Sequence, residues 1–375
     1  MMSSDNPLYI EISPLLASPL AGIGRLVARL IESLSRLTPL RLVNLIGGDP
    51  GVSIELSNAL PYGREIRVTD NDLPAIGADL DRWVSTLLQR RHDKLDFQSA
   101  RQCPGFFTML RPSERHFARE VCIFYDFTPV ILPWAHVPEI RNQFGRLFAE
   151  TSSLCDKAVA ISESTKADAS WLCALPEDDV IVGYPGPSLC VQFHAFAGPV
   201  KRTSNLILVV STLEPRKNAQ FLLDWFLTTD VLLPGTRLWW VGPKGWLSDL
   251  SSHDRRFKSR DRRFRFLGMV SDKRLCELYR QATFTIYPSL YEGFGFPVLD
   301  SLLHGAPVAS SFNSSLQEFA GDGVSYFDAC DSTSLDAACS ELIASLPLRI
   351  DRNDLHDRFS WDRLARKIVS LCYLT

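Results

Sequence analysis

Two acidic residues flank a glycine-rich turn in the C-terminal half of the chain. The turn is Glu292-Gly-Phe-Gly295, and Asp300 follows it in an apolar, helix-like segment. Gly293 and Gly295 let the backbone approach a ligand closely and adopt φ > 0, and the positive end of the following helix favours an anion. The arrangement suits a ligand with hydroxyls and phosphates, with Glu292 on sugar hydroxyls and Asp300 on a ribose. The alternative is an ordinary strand-to-helix turn with a solvated Glu292.

A cationic pair, Arg216-Lys217, lies within the segment Val210-Ser-Thr-Leu-Glu-Pro-Arg-Lys-Asn218. The pair follows a strand-like apolar run and opens a predicted helix. Two cations beside the exposed N–H groups of a helix N-terminus can hold a diphosphate leaving group. A solvated basic turn is the alternative interpretation of the pair taken alone.

Together these segments resemble the motifs of the retaining GT-B glycosyltransferases of glycosyltransferase family 4. In that family two glutamates, separated by seven residues, contact the donor sugar and the nucleotide ribose. Glu292 matches the first, and Asp300, one methylene shorter, stands at the second. Lys217 matches the family lysine that binds the donor diphosphate. Thr212 stands where many members carry an arginine, so Arg216 is expected to supply the second positive charge.

The resemblance also implies donor contacts along several loops of the C-terminal half. Gly268 and Val270 stand in Phe266-Leu-Gly-Met-Val-Ser-Asp272, where family members use backbone groups to hold the nucleotide base. Either residue could instead merely end a strand. The turn residues Gly293, Phe294 and Gly295 are expected to line the donor.

In the N-terminal half, Gly22-Ile-Gly24 resembles the family's glycine-rich loop beneath the donor phosphates. Two glycines alone are a weak signal, and the third glycine of a dinucleotide fingerprint is absent. Asp126 matches the aspartate of a His-Asp pair found in relatives, so we predict it to be a site residue. Tyr125 takes the histidine position, and a core aromatic at a strand end is the competing interpretation.

Apolar strand-like runs alternate with helical patterns in both halves, which predicts an α/β protein with parallel sheets. We therefore expect the GT-B architecture of two doubly wound, Rossmann-like domains facing a central cleft, with the ligand at the carboxyl ends of the strands. The predicted domains are residues 1–186 and 204–358, with a linker over 187–203. In the resembled family the final helix, here within 359–375, crosses back to the N-terminal domain.

The bulk composition bounds the class of protein. The chain has 375 residues, 46% of them hydrophobic, and a net charge of −3, which argues against general nucleic-acid binding. Nine scattered cysteines without a Cys-x-x-Cys pair suit a reduced cytoplasmic protein. The N-terminal residues lack the pattern of a signal peptide, and no apolar run reaches the roughly 18–20 residues of a spanning helix.

A basic stretch from Arg82 to Arg119 is not explained by the family motifs. It holds eight Lys or Arg against three acids, with Phe106, Phe107 and Leu110 among them. Such a stretch in an acidic protein predicts contact with a lipid-diphosphate acceptor or with an anionic membrane, at the inner face of the cytoplasmic membrane. The alternative is a solvated helix pair with a disordered loop near Gly105.

No Asp-x-Asp motif follows a strand, and no His or Cys set has metal-ligand spacing, so we predict no metal and no cofactor. Arg216, Lys217 and helix N-termini would then stabilise the departing diphosphate. The resemblance implies transfer of a hexose with retention, with GDP-mannose as the favoured donor and a glycan or lipid-linked glycan of a bacterial surface polysaccharide as acceptor. A GT-B-fold sugar-nucleotide epimerase, a nicotinamide-dependent oxidoreductase and a catalytically inactive binding module stay open as alternatives.

Overall fold

A computed structural model describes residues 6–18, 22–46, 59–69, 72–76, 79–109, 114–189, 205–246, 263–321, 323–346 and 350–373. The chain divides into two compact units. Unit 1 comprises Met1–Phe127, Asn142–Cys190 and Arg358–Thr375, and unit 2 comprises Thr128–Arg141 and Val191–Asp357. Most of the predicted linker, from residue 190 onward, lies outside the described residues.

The strands of unit 1 are short and mostly apolar. They are β1 (Leu8–Glu11), β2 (Leu40–Val43), β3 (Arg64–Val68), β4 (His92–Lys94), β5 (Pro104–Phe107), β6 (Arg119–Phe124), β7 (Lys157–Ala160) and β8 (Val180–Val182). Unit 2 contributes β9 (Leu206–Val210), β10 (Arg237–Val241), β11 (Phe264–Gly268), β12 (Phe284–Tyr287), β13 (Val308–Ser311) and β14 (Val324–Phe327).

The helices alternate with these strands along most of the chain. They are α1 (Ser13–Ala17), α2 (Gly22–Leu34), α3 (Leu80–Leu88), α4 (Phe97–Ala100), α5 (Thr128–Ile131), α6 (Pro138–Leu154), α7 (Glu163–Leu172), α8 (Ala219–Thr228), α9 (Asp272–Gln281), α10 (Phe296–Leu303), α11 (Ser332–Ala344), α12 (Arg352–Arg358) and α13 (Trp361–Tyr373). Short 3₁₀ turns connect some of them, and the turn Pro215–Lys217 precedes α8.

Unit 2 is built on a six-stranded sheet in the order β11-β10-β9-β12-β13-β14, with every neighbouring pair parallel. Its strands are apolar because crossover helices cover both faces of a parallel sheet. Trp240 of β10, Phe284 of β12 and Phe226 of α8 are fully buried in its core. The parallel order brings the carboxyl ends of β9 and β12 together at one edge, where the predicted site residues follow.

Unit 1 has an eight-stranded sheet in the order β4-β3-β2-β1-β5-β6-β7-β8. Six strands are parallel, whereas β3 pairs antiparallel with β2 and with β4. The prediction of parallel sheets holds for unit 2 and needs this correction in unit 1. Residues 64–68 and 92–94 carry charged or histidine side chains at most positions. Neither segment therefore shows an apolar run of the kind that predicts a strand.

The C-terminal helix α13 packs against α2, β5 and β6 of unit 1. The hydroxyl of Tyr373 donates to the carbonyl of Asn6 at 2.6 Å, and Trp361 Nε1 donates to the carbonyl of Pro187 at 2.9 Å. The helix thus returns to the N-terminal unit, and this part of the fold prediction is confirmed.

The strand β5 corrects our interpretation of the basic stretch from Arg82 to Arg119. The segment at Gly105, which the alternative interpretation made a disordered loop, is a strand between β1 and β6, with Phe106 and Phe107 fully buried. These two rings therefore contribute no exposed apolar surface. Leu110 and Arg111 of the stretch lie outside the described residues.

Gly242, which follows β10, is a position where a side chain is expected to cost much stability. Its φ is +143°, and an added Cβ would lie 2.0 Å from the carbonyl oxygen of Ser211. We expect Gly242→Ala to destabilise the protein by at least about 3 kcal/mol, since backbone strain and a clash with backbone add. Urea unfolding measures this change in the free energy of unfolding.

The matched control for that substitution is Gly235→Ala. Gly235 also has a positive φ, +80°, but an added Cβ would meet nothing within 4 Å. The control variant should lose only the strain energy, about 1 kcal/mol. Equal losses in the two variants would contradict the close packing at Gly242.

Candidate functional site

The cationic turn between β9 and α8 is held in place by backbone geometry. Asn218 caps α8 with a left-handed backbone, φ 56°, which asparagine tolerates better than most residues. Its Nδ2 donates to the carbonyl of Ala329 at 2.7 Å. The carbonyl of Arg216 accepts from Leu290 N at 2.8 Å, which ties the turn to the loop that follows β12.

The glycine-rich loop between β12 and α10 is also held in place, by its backbone geometry and by hydrogen bonds. Gly295 caps α10 at φ +111°, and a Cβ there would lie 2.7 Å from Leu316 Cδ2. Ser314 Oγ accepts from Glu292 N, and Ser315 Oγ donates to Glu292 O, both at 2.9 Å. The backbone of Glu292 is therefore anchored on both sides.

The structure brings Glu292, Lys217 and Arg216 into one cluster. Arg216 Nη1 donates to Glu292 Oε2 at 2.7 Å, and Lys217 Nζ donates to Glu292 Oε1. The side chains are close to fully buried, with Glu292 6% and Lys217 7% exposed. Side chains from two loops, 75 residues apart in sequence, thus form a single charged site at the carboxyl edge of the sheet.

Two further residues, which the sequence analysis did not single out, complete the cluster. Glu214 is 3% exposed and forms an ion pair with Arg216 Nε at 2.7 Å. Tyr287, the last residue of β12, donates its hydroxyl to Glu292 Oε1 at 2.9 Å. The sequence does give a signal for Glu214, because it is an acidic residue within the cationic motif, two positions before Arg216. Tyr287, in contrast, has the sequence pattern of an ordinary aromatic residue in a strand.

The charges of the cluster balance, with two carboxylates facing two cations. Burial alone would raise the pKa of the Glu292 carboxyl, but Arg216 and Lys217 lower it to about 2. The pKa of Lys217 lies below its usual value, because burial and Arg216 lower it more than Glu292 and Glu214 raise it. An incoming diphosphate would compete with Glu292 for the donors of Arg216 and Lys217, because the same N–H groups serve both anions.

The remaining predicted residues of the glycine-rich loop and α10 are buried. Asp300 is 2% exposed, and its carbonyl oxygen lies 2.6 Å from His304 Nδ1. The ring of Phe294 is 3% exposed and packs edge-on against Phe319. Gly293 is buried as well. The roles assigned to these residues toward a donor stay predictions.

Gly268 ends β11 with φ +66°, and its carbonyl accepts from Gly242 N at 3.0 Å. Val270 follows within the connection to α9 and is partly exposed. The left-handed backbone at Gly268 fits the reversal that the chain makes there. Their proposed contact with a nucleotide base also stays a prediction.

Three predicted site residues lie in unit 1. Gly22 and Gly24 form the first turn of α2, not a loop preceding it. Asp126 follows β6, half-buried. The Tyr125 hydroxyl donates to the carbonyl of Thr108, and burial, with a smaller effect of Glu11, raises its pKa strongly. Tyr125 thus has an internal partner, as a core aromatic would.

Within the described ranges, no group of three or more His, Cys, Asp or Glu side chains is arranged to hold a metal ion. No helix in the same ranges is long and apolar enough to cross a bilayer.

Comparison with known proteins shows what the fold and the segment that carries the charged cluster are similar to. Residues 204–345, which contain the whole charged cluster, match the family model described as glycosyl transferases group 1. The solved structure of WaaG, a glycosyltransferase involved in lipopolysaccharide biosynthesis, superposes with a TM-score of 0.62 over 98% of this chain and 100% of that one, at 12% identity. That likeness shows the fold, which is GT-B.

Two curated relatives are similar in sequence. O-antigen chain mannosyltransferase B of Escherichia coli is 37% identical over 240 residues, 61% of this chain and 61% of that protein. Serotype-specific mannosyltransferase WbdA of Escherichia coli is 25% identical over 229 residues, 57% of this chain and 28% of that protein. The C-terminal part of the chain is thus similar to the group 1 glycosyl transferases, and the chain spans less than two thirds of the length of these two relatives.

Proposed function

We propose that the protein is a retaining glycosyltransferase that transfers a hexose from a nucleotide-diphosphate sugar to a glycan or lipid-linked glycan. The observation that carries the proposal is the buried cluster of Arg216, Lys217 and Glu292 at the N-terminus of α8. Two cations and a helix N-terminus supply the positive potential that a departing diphosphate requires. The adjacent carboxylate of Glu292 is a suitable acceptor for sugar hydroxyls.

In the proposed reaction, the bond between the anomeric carbon and the diphosphate oxygen breaks. The acceptor hydroxyl forms the new glycosidic bond on the same face of the sugar. The hydroxyl proton passes to an oxygen of the departing diphosphate, so the products are the glycoside and the nucleoside diphosphate. Lys217 and Arg216 stabilise the charge that develops on the leaving group, and no residue forms a covalent bond to the sugar.

Mannose is the favoured sugar, with GDP-mannose as the donor, because the two curated relatives are named as mannosyltransferases. The name of the first of them also favours an acceptor in bacterial surface polysaccharide assembly. The reaction as proposed needs no metal, since the cations of the cluster face the diphosphate.

The proposal extends to contact between the protein and the inner face of the cytoplasmic membrane. The basic stretch from Arg82 to Arg119 keeps exposed cations at Arg82, Arg91, Lys94 and Arg101. Since Phe106 and Phe107 are buried, these two rings would add nothing to the electrostatic attraction toward anionic lipid headgroups.

A panel of GDP-, UDP- and ADP-sugars tests the donor. Binding of the correct donor raises the melting temperature by mass action, and we expect the largest rise with GDP-mannose. The same donor should yield a mannosylated product with a glycan acceptor. Release of an epimer from the sugar nucleotide incubated alone would instead identify an epimerase and overturn the transferase proposal.

A further inference from the structure

Tyr287 lies at the centre of the charged cluster, yet neither the donor sugar nor the diphosphate explains its presence. Its side chain is 4% exposed. Its hydroxyl oxygen accepts from Lys217 Nζ at 3.1 Å and donates to Glu292 Oε1 at 2.9 Å. The ring centroid of Tyr287 lies 5.3 Å from the same Nζ atom. The phenol therefore contacts both charged partners of one buried ion pair.

The hydrogen-bonding capacity of these groups fixes their directions. A lysine ammonium has three donors and no acceptor, and a phenol has one donor. Among the described residues, Lys217 uses one donor on Glu292 and one on the Tyr287 oxygen, which leaves the third for a donor phosphate. The phenol uses its single proton on Glu292. The three hydrogen bonds among Lys217, Tyr287 and Glu292 therefore all form with the lysine charged, the phenol neutral and the carboxylate ionised.

The charge state of Lys217 depends on its neighbours because the site excludes water. The groups that face its Nζ are Glu292, Arg216, Glu214 and the Tyr287 hydroxyl. Burial and Arg216 disfavour the ammonium, and the two carboxylates favour it. A neutral phenol oxygen that accepts from Nζ also favours the ammonium. Burial, together with Glu292, keeps the pKa of Tyr287 well above its usual value, so the phenol stays neutral.

We propose that Tyr287 is a positioning residue, which keeps Lys217 charged and aimed at the donor diphosphate when Glu292 turns from the lysine to the sugar. Once Glu292 moves its carboxylate to sugar hydroxyls, the phenol oxygen remains as a fixed acceptor for Lys217. The inference rests on the proposed function of Lys217 and Glu292, and it adds a residue that acts through both.

The test is Tyr287→Phe, which keeps the ring and removes the hydroxyl. The substitution removes the hydrogen bonds of the hydroxyl to both Lys217 and Glu292, and only the bond from Lys217 Nζ remains once Glu292 has turned to the sugar. We expect kcat/KM for GDP-mannose to fall by about tenfold, the effect of losing that remaining bond to a charged group. The alkaline limb of the pH profile should move to lower pH, because Lys217 loses its proton more easily. A role in packing alone would leave the position of that limb unchanged.

The matched control is Tyr326→Phe. Tyr326 lies in the same unit, and its hydroxyl donates to the carbonyl of Leu316 at 2.8 Å. The Tyr326→Phe variant therefore also loses a phenol hydrogen bond, but one without a charged partner. Its pH profile should coincide with that of the wild type. An unchanged kcat/KM and an unchanged alkaline limb in Tyr287→Phe would overturn the inference.

A titration without any donor separates this inference from the proposed function. Lysine labelled with ¹³C at Cε reports the pKa of Lys217 by NMR, and the signal lost in Lys217→Met assigns it. The pKa of Lys217 should be lower in Tyr287→Phe than in the wild type. An equal pKa overturns the positioning role even if the wild type transfers mannose, whereas a lowered pKa in a protein without transferase activity contradicts the proposed function alone.

Discussion

Lys217→Met is expected to lower kcat/KM for the sugar-nucleotide donor by about 10²–10³-fold, with most of the loss in kcat. Removing one preorganised donor that faces a developing negative charge has effects of this size. Lys217 meets the condition because its Nζ is buried, so water cannot replace the lost ammonium. Methionine keeps the length and apolar stem of the side chain. Steady-state kinetics over a range of donor concentrations separates kcat from KM.

Lys273→Met is the control for that prediction, because Lys273 lies exposed on α9 of the same unit. Its kinetics should match the wild type. Lys217→Arg restores the charge but not the geometry, since a planar guanidinium cannot take the place of a compact ammonium beside Tyr287 and Glu292. We therefore expect partial activity in Lys217→Arg. Wild-type kcat/KM in Lys217→Met would contradict the assignment of Lys217 to the leaving group.

The sequence predicted the elements that carry the site because their signals are local. The strand-like apolar run before the cationic pair is a strand, Leu206–Val210, since a strand buried on both faces is apolar throughout. The final helix, Trp361–Tyr373, lies within the predicted range 359–375. The turn that begins at Ser162 suggests a helix cap at Ser162 or Ser164, and in the structure Ser162 caps α7, with its side chain accepting from Thr165 N three residues on.

What the sequence did not predict depends on contacts between distant segments. The buried strand β5 lies inside a stretch rich in arginine. Its four buried residues, 104–107, are too few to show as an apolar run among the charged residues on either side. The contact of Tyr287 with Lys217 joins residues 70 apart in sequence, and nothing local to Tyr287 indicates it. The ion pair of Glu214 with Arg216 likewise depends on how the turn at Pro215 orients both side chains.

The same distant contacts explain why the predicted residues pair with one another. The sequence assigned Glu292 to the sugar and Lys217 to the diphosphate, which implies two separate positions on a ligand. In the structure the two side chains neutralise each other. A buried carboxylate and ammonium must be paired when no ligand is bound, since isolated charges in such a site are costly. The ligand is thus expected to replace one member of an existing pair.

Glu292→Gln is expected to destabilise the protein by about 3–5 kcal/mol. Removing one member of a buried ion pair leaves the other charges uncompensated, which is the cause of losses of this size. Arg216 and Lys217 would then face each other with Glu214 as their remaining carboxylate. Urea unfolding at neutral pH measures the change. Glu277→Gln is the control, because Glu277 pairs with Arg274 at the surface and should contribute less than about 1 kcal/mol.

The pH dependence of stability is a second, independent test of whether the ion pairs of Glu292 stabilise the fold. The pKa of Glu292 is about 2 in the folded protein, below the ordinary value of 4.5. A depressed folded-state pKa stabilises the fold above the unfolded value, and this stabilisation is lost as the pH falls from about 4.5 to about 2. The wild type should therefore lose stability over this window more steeply than Glu292→Gln, which has no carboxyl to protonate. Parallel curves for the two proteins below pH 4.5 would show that the ion pair of Glu292 with Lys217 and Arg216 does not contribute to stability.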